Sequence, residues 1–391
     1  MYCEGRAERV LKNNPCKLKT LCVQSISLIL LTGLLCVGCA ADSGPIKIGF
    51  AGPLSGSAGT PSTVVRNGVV LAVEHINANG GIDGRKIELL VQDDMGEVSS
   101  ARQADAALYK AGVAAIIGHT TSEMSAAGMN FGNEHELLFI SPSSSAEYLM
   151  GRDDYFFTLY PSNRVLAKAL ADYAYNTLQV RKTAALIDEA NKLYSENYYQ
   201  EFKKYFEQLG GKVDHKYSYN SLNTNEFHLL TSQLIHSQPD SVLVMAASLD
   251  TALVAQQLYK RGVDIPILGC DWAAYRELIE QGGPYVEHIY IPNLYSDTQS
   301  LANTYGVMYA EYQNRFREKA SVGAALGYET MWLLAQALEM QEKSEPLKET
   351  FLKNRFEGFE ETISFNGYGE ATRRVYIKTI RNGEFVNAHD Q

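Results

Sequence analysis

What most limits the fold of this chain is a rhythm that starts at Pro45. Short β-type apolar runs alternate with amphipathic helical stretches. Residues 46–54 read as a strand. In the segment that follows, Val65, Val69, Ala72, Val73 and Ile76 fall on one helical face, and Gly80-Gly81 stops the helix. Strand, helix, strand, helix, strand then follow at 86–91, 99–110, 113–117, 125–134 and 137–140. The rhythm restarts after "YPSNR". Ser162 stands where it could cap a helix reaching about Leu178, and strands are expected at 183–187, 212–217, 241–247 and 265–268, with helices at 196–209, 226–236 and 252–261 between them. Two such runs predict an α/β protein of two doubly wound, mostly parallel sheets with helices on both faces. No period of 20–50 residues marks a solenoid. In the tail, "SVGAALGYETMWLLAQALEM" reads as a long helix and "RRVYIKTIRNGEFV" as a hairpin turning at Asn382-Gly383. Neither makes a domain alone, so both are expected to complete the two earlier units.

Hydroxyls are placed twice in the same way. Thr120, Thr121 and Ser122 follow the run ending at Ile117, and Ser143, Ser144 and Ser145 follow the run ending at Ile140. Ligands of open α/β sheets sit beyond the carboxyl ends of the strands, where a helix start offers free N–H groups and a positive dipole end. A hydroxyl both accepts from an ammonium and donates to a carboxylate, so two clusters could hold one zwitterion. Helix capping alone would also explain them. Ser144 and Glu147 have the spacing of a capping box. Asp271 ends the run "IPILGC" and could pair with an ammonium or merely cap the next turn. Its neighbour Trp272 could line a pocket or fill the core.

Before Pro45 the chain changes character. Lys12, Lys17 and Lys19 precede the apolar run in "LCVQSISLILLTGLLCVGCA", the pattern of a secretory signal. Its end, Val37-Gly38-Cys39-Ala40, resembles a bacterial lipobox, with Cys36 where leucine is usual. The expectation is a signal peptide over 1–38, a lipid on Cys39 and a location anchored at the cell envelope. Four further cysteines would leave with the signal, so Cys270 would be a lone, buried thiol. The net charge of −10 shows no basic stripe for nucleic acid. No metal-ligand spacing, Cys/His dyad or P-loop is present: "GPLSGSAG" lacks the G-K-[ST] that phosphate binding needs. No cofactor and no enzymatic activity are expected.

Several stretches, taken in order, resemble the leucine/isoleucine/valine-binding protein family of type I periplasmic solute-binding proteins of ABC transporters. They are "IKIGFAGPLSG", "GVVLAVEHINANGGIDGRKIELLVQDD", "AAIIGHTTS", "LLFISPSSSAE", "GYETMWLLAQAL" and "FNGYGEATRRVYIKTIRNGEFV". The resemblance implies two lobes joined by three crossings, with lobe 1 at 45–161 plus 292–372 and lobe 2 at 162–291 plus 373–391. It also implies an amino-acid ligand, branched-chain or a close analogue, bound between the lobes by hinge closure, and a membrane permease as partner. Matched motif by motif, it puts Ser122, Ser143 and Ser145 on the ligand's head group and Asp271 on its ammonium. Tyr194 would cover the ligand, Ser248 and Trp272 would be further cleft candidates, and His119 would support the site from behind. The chain departs from the family in the loop "SAGTPST", where Pro61 stands near an aromatic gate of some members. Met95 and Thr121 stand near the places of a cysteine pair that is missing here. A sensor subunit for a signalling partner, or a binder of an amide, urea or aromatic acid, are the alternatives on this scaffold.

Overall fold

The computed structural model describes residues 44–55, 59–222, 226–296 and 304–388. The expected signal peptide and Cys39 lie outside the described residues. Among those described, no helix is long and apolar enough to cross a membrane.

The first sheet is built from β1 (Ile46–Gly52), β2 (Ile87–Asp93), β3 (Ala115–Gly118), β4 (Leu138–Ser141) and β5 (Phe156–Thr158). They are parallel throughout, in the order β2-β1-β3-β4-β5. Helices α1 (Gly59–Ala78), α2 (Val98–Lys110) and α3 (Ser122–His135) connect them. The inner strands are buried on both faces, which is why β3 reads as an unbroken apolar run rather than an alternation.

The chain then enters α4 (Asn163–Asn176) and a second sheet. Here β6 (Lys182–Asp188), α5 (Lys192–Gln208), β7 (Lys212–Tyr219), α6 (Phe227–Ile235), β8 (Ser241–Met245), α7 (Ser248–Lys260), β9 (Ile267–Gly269), α8 (Arg276–Gly282) and β10 (Ile289–Asn293) repeat the winding. After β10 the path returns to the first sheet's side through α9 (Thr304–Phe316) and α10 (Val322–Met340). Two glycines let α10 lie almost in contact with the backbone of α1. A Cβ at Gly68 would overlap the Ala324 carbonyl, and one at Gly327 the Val65 carbonyl. Helix α11 (Leu347–Lys353) and the ribbon of β11 (Arg355–Glu357) and β12 (Thr362–Ser364) follow.

A third crossing leads to the hairpin of β13 (Tyr376–Arg381) and β14 (Glu384–Asn387). It closes the second sheet in the order β14-β13-β10-β9-β8-β6-β7, antiparallel only at the hairpin. Asn382 and Gly383 have φ of 50° and 73°, the pair of left-handed residues a tight hairpin turn needs. The two bodies thus differ in how they are finished: the first by a long helix, the second by a hairpin.

Several boundaries depart from the sequence reading. Helix α3 begins at Ser122, three residues early, because Thr121 caps it by accepting from the Met124 N–H at 3.5 Å. Helix α5 begins at Lys192, after a short turn that Asp188 caps by accepting from Ala190 N–H at 2.9 Å. The Ser144–Glu147 capping box does not form. Ser144 Oγ lies 2.8 Å from Ser125 Oγ, and the Glu147 N–H donates to Asn197 Oδ1 at 3.0 Å. Ser162 holds the cap position of α4 without a capping bond. Cys270 is buried as expected. Burial and the neighbouring Asp271 charge push its thiol up to about 12, which keeps it protonated and unreactive.

Candidate functional site

A cleft of about 560 Å³, mouth included, opens where the carboxyl ends of both sheets meet. One wall carries hydroxyls. Thr120, Thr121 and Ser122 come from the β3–α3 junction and Ser143 from the turn after β4. Their hydrogen bonds give them different roles. Ser122 Oγ accepts from the N–H groups of Ser145 and Ala146 at 3.3 and 3.2 Å, so its own proton is left to donate. Ser143 Oγ donates to the Thr120 carbonyl at 2.8 Å, so its lone pairs are left to accept. Ser122 is also the first residue of a 14-residue helix, whose opening N–H groups and dipole favour negative charge. One wall can therefore donate to a carboxylate and accept from an ammonium.

The opposite wall carries an acid. Asp271 stands in the turn just past β9. Tyr194, on α5, donates its phenol to Asp271 Oδ1 at 2.6 Å. Asp271 keeps part of its surface in the cleft while protein encloses it elsewhere. Burial lifts its carboxyl to about 6, against the opposing hydrogen bond from Tyr194. Among the described residues it makes no ion pair. The Tyr194 ring meets the Trp272 ring edge-on, with centroids 6.0 Å apart and planes at 85°. Burial and the Asp271 charge push the Tyr194 phenol well above its usual range, so it is a donor at any physiological pH.

The rest of the lining is mostly apolar. Tyr160 stands at the first crossing, Tyr275 before α8, and Val322 and Leu326 one turn apart on α10, with Pro61 at the start of α1. Asn191 also lines the cleft, and its buried Oδ1 has no hydrogen-bond partner among the described residues.

The structure thus brings Ser122, Ser143, Tyr194, Asp271 and Trp272 to one cleft. It places Ser145 and Ser248 one layer behind. Ser145 Oγ donates to Asn163 Oδ1 at 2.7 Å, tying the β4 turn to α4. Ser248, fully buried, donates to the Ala273 carbonyl at 3.2 Å and braces the turn that bears Asp271. The sequence reading missed Tyr160, Tyr275, Asn191, Val322 and Leu326. Asn191 and Tyr275 stand within one turn of Tyr194 and Asp271, so those two signals could have found them; Tyr160, Val322 and Leu326 reach the cleft from a crossing and a distant helix.

His119 lies behind the hydroxyl wall with no exposure, its Nδ1 2.6 Å from Asp94 and its Nε2 3.1 Å from Asp105. Burial alone would lower its pKa. Hydrogen bonds and the charges of the two carboxylates outweigh that and raise it to about 9. Its carbonyl accepts from the hydroxyls of Ser125, Ser141 and Ser144, so it joins the ends of β3 and β4. Among the described residues no cluster of His, Cys, Asp and Glu could hold a metal ion.

Comparison with known proteins agrees with this fold. The leucine-, isoleucine-, valine-, threonine- and alanine-binding protein of Pseudomonas aeruginosa is 23% identical over 349 residues, covering 87% of this chain and 90% of its own. The branched-chain amino acid transporter substrate-binding protein LivJ of Streptococcus pneumoniae, solved in complex with isoleucine, superposes with a TM-score of 0.80. It is 26% identical and covers 87% of this chain and 97% of its own. The leucine-binding protein LivK of Thermotoga maritima superposes with a TM-score of 0.79 at 24% identity, over 88% of this chain and all of its own. The model of the periplasmic binding protein family matches residues 45–384, and the chain belongs to that family, in its type I, Leu/Ile/Val-binding-protein-like form.

Proposed function

We propose that the protein is an exported solute receptor of an ABC transporter that takes an α-amino acid with an apolar side chain between its two lobes. One observation carries the reading. Asp271 is an enclosed acid with no ion pair among the described residues, and it shares a cleft with hydroxyls and a helix N-terminus on the other wall. A zwitterion answers both walls at once. Its ammonium pairs with Asp271 and Ser143, and its carboxylate takes the Ser122 proton and the first N–H groups of α3. Val322, Leu326, Tyr160 and Tyr275 leave an apolar space for the side chain. Each charge-assisted hydrogen bond contributes about 1.5–3 kcal/mol. Three or four, less the cost of ordering, reach the roughly −8 kcal/mol of micromolar binding. The isoleucine held by the S. pneumoniae relative supports the same class of ligand. An ABC permease would be the partner, and a lipid on Cys39 would hold the receptor at the cell envelope.

Thermal-shift and calorimetric titrations with isoleucine, leucine, valine and the matching α-keto acids test the reading. The amino acids should raise the melting temperature and the keto acids, which lack the ammonium, should not. A larger shift with benzoate or a keto acid than with any amino acid would overturn it. Mass spectrometry of the envelope-extracted protein checks the anchor, with an acylated Cys39 as the expected mature N-terminus.

A further inference from the structure

A second cavity, of about 540 Å³ including its mouth, lies behind the cleft. It is walled by the end of β10, the hairpin β13–β14 and the start of α10, so the returning chain and the second sheet meet around it. Val322 lines both cavities.

Two of its polar groups are donors without a partner among the described residues. Asn293 is 7% exposed. Its amide orientation is fixed, because Oδ1 accepts from the Tyr295 N–H at 3.1 Å. Its Nδ2 therefore points away from that bond, and among the described residues it has no protein acceptor. Across the cavity, Ser321 stands at the cap position of the 19-residue helix α10. It makes no capping bond, and its buried Oγ has no partner. The opening N–H groups of α10 lie beside it. Arg276, Lys378 and Glu384 also line the cavity, and all three are engaged: the Lys378 amine donates to the Ser296 carbonyl, and Arg276 meets both Glu384 and Glu280. Glu384 is held by Arg276 at 3.0 Å and by Lys319 at 2.7 Å. Two unused donors beside a helix N-terminus select an anion. The remaining lining, with Tyr309, Ala320 and Phe385, is apolar and favours an anion with a hydrocarbon body.

We propose that this hinge cavity is a second binding site, for a small organic carboxylate held by Asn293 Nδ2, Ser321 Oγ and the N-terminus of α10. The carboxylate bridges the second sheet to the helix that returns to the first.

Hexanoate is a suitable probe, since it has the charge and the hydrocarbon body but no ammonium for Asp271. Calorimetric titration of hexanoate into the purified protein should give saturable binding at or below about 1 mM, the range open to so small a ligand. Asn293→Asp keeps the acceptor for Tyr295 and replaces the donor with a negative charge. It should weaken hexanoate by about tenfold or more, as expected for losing a hydrogen bond to a charged group. Ser321→Ala removes a hydroxyl that has no partner among the described residues. It should melt like wild type and still lose hexanoate affinity, which keeps the test decisive if Asn293→Asp folds poorly. Absence of saturable binding overturns the proposal. So does hexanoate affinity that survives both variants, or affinity that falls with Trp272→Ala instead, which would put the carboxylate in the main cleft.

Discussion

Enclosing the Asp271 carboxylate works against the stability of the empty protein at neutral pH. The folded-state carboxyl titrates near 6, above the ordinary 3.8, so the folded chain holds that proton more tightly than the unfolded chain. Its stabilising contribution is therefore complete below about pH 4 and is lost as pH rises to about 6. Asp271→Asn should raise the unfolding free energy of the ligand-free protein at pH 8 by about 1–2 kcal/mol once cleft solvent is allowed for, read in urea unfolding. The same change should weaken amino-acid binding by about 2–5 kcal/mol in calorimetry. In the wild type, affinity should be flat above pH 7 and fall about tenfold per pH unit below 6, where a proton must leave before the ammonium can pair. An affinity independent of pH between 4.5 and 7 would show that Asp271 does not meet the ligand's cation. At this scale the sequence was legible where chemistry sits at a strand end, as for Ser122, Ser143 and Asp271. It could not separate Ser122 from Ser145 or Ser248. All three follow apolar runs, and only the turn geometry decides which hydroxyl faces the cleft and which braces the backbone.

Between the strands and helices, two kinds of fit hold the hydroxyl wall in place. One is electrostatic. His119 links the Asp94 turn after β2 to Asp105 on α2, and its carbonyl gathers the serines after β4. Since its pKa rises from 6.5 to about 9 on folding, its contribution is full below pH 6.5 and lost as pH passes 9. His119→Leu would leave two buried carboxylates without their cation and should cost about 3–5 kcal/mol in urea unfolding at pH 7. That loss should shrink toward pH 10, where the wild-type imidazole is itself neutral. The other fit is steric. Gly68 and Gly327 let α1 and α10 touch backbone to backbone, so Gly327→Ala, favourable by helix propensity alone, should destabilise by about 1–3 kcal/mol in the same assay. The apolar rhythm made these elements legible. It did not show that Gly68 of α1 and Gly327 of α10 face the opposite helix, because a glycine within a helix leaves no mark in hydrophobic periodicity. The hairpin was legible for a local reason: Asn382-Gly383 supplies the two left-handed residues in the order the turn requires.

Across the whole molecule, the two walls of the cleft belong to different sheets, so a solute of the proposed kind would be gripped from both sides only with the walls brought together. Contacts away from the ligand also span the gap. The Leu193 N–H, at the start of α5, donates to Glu123 Oε2 on α3 at 3.3 Å. Glu147 Oε1 accepts from the Arg164 N–H of α4 at 3.1 Å, while its own N–H donates to Asn197 on α5 at 3.0 Å. If closure is a population shift, these side chains stabilise the closed state without touching the solute. Their loss should then act on release. Glu147→Ala should raise the dissociation rate about fivefold, near 1 kcal/mol, and leave association nearly unchanged, since the solute enters the open form. Asp271→Asn should differ by also removing a direct contact. The chain has two tryptophans, and only Trp272 lines the cleft, so stopped-flow fluorescence can follow both steps. Small-angle scattering should show a smaller radius of gyration with isoleucine bound, and in Glu147→Ala a radius between those of the empty and filled wild type. Wild-type release rates in Glu147→Ala, with scattering unchanged by ligand, would mean that the lobes are fixed and that the solute enters a cleft already formed.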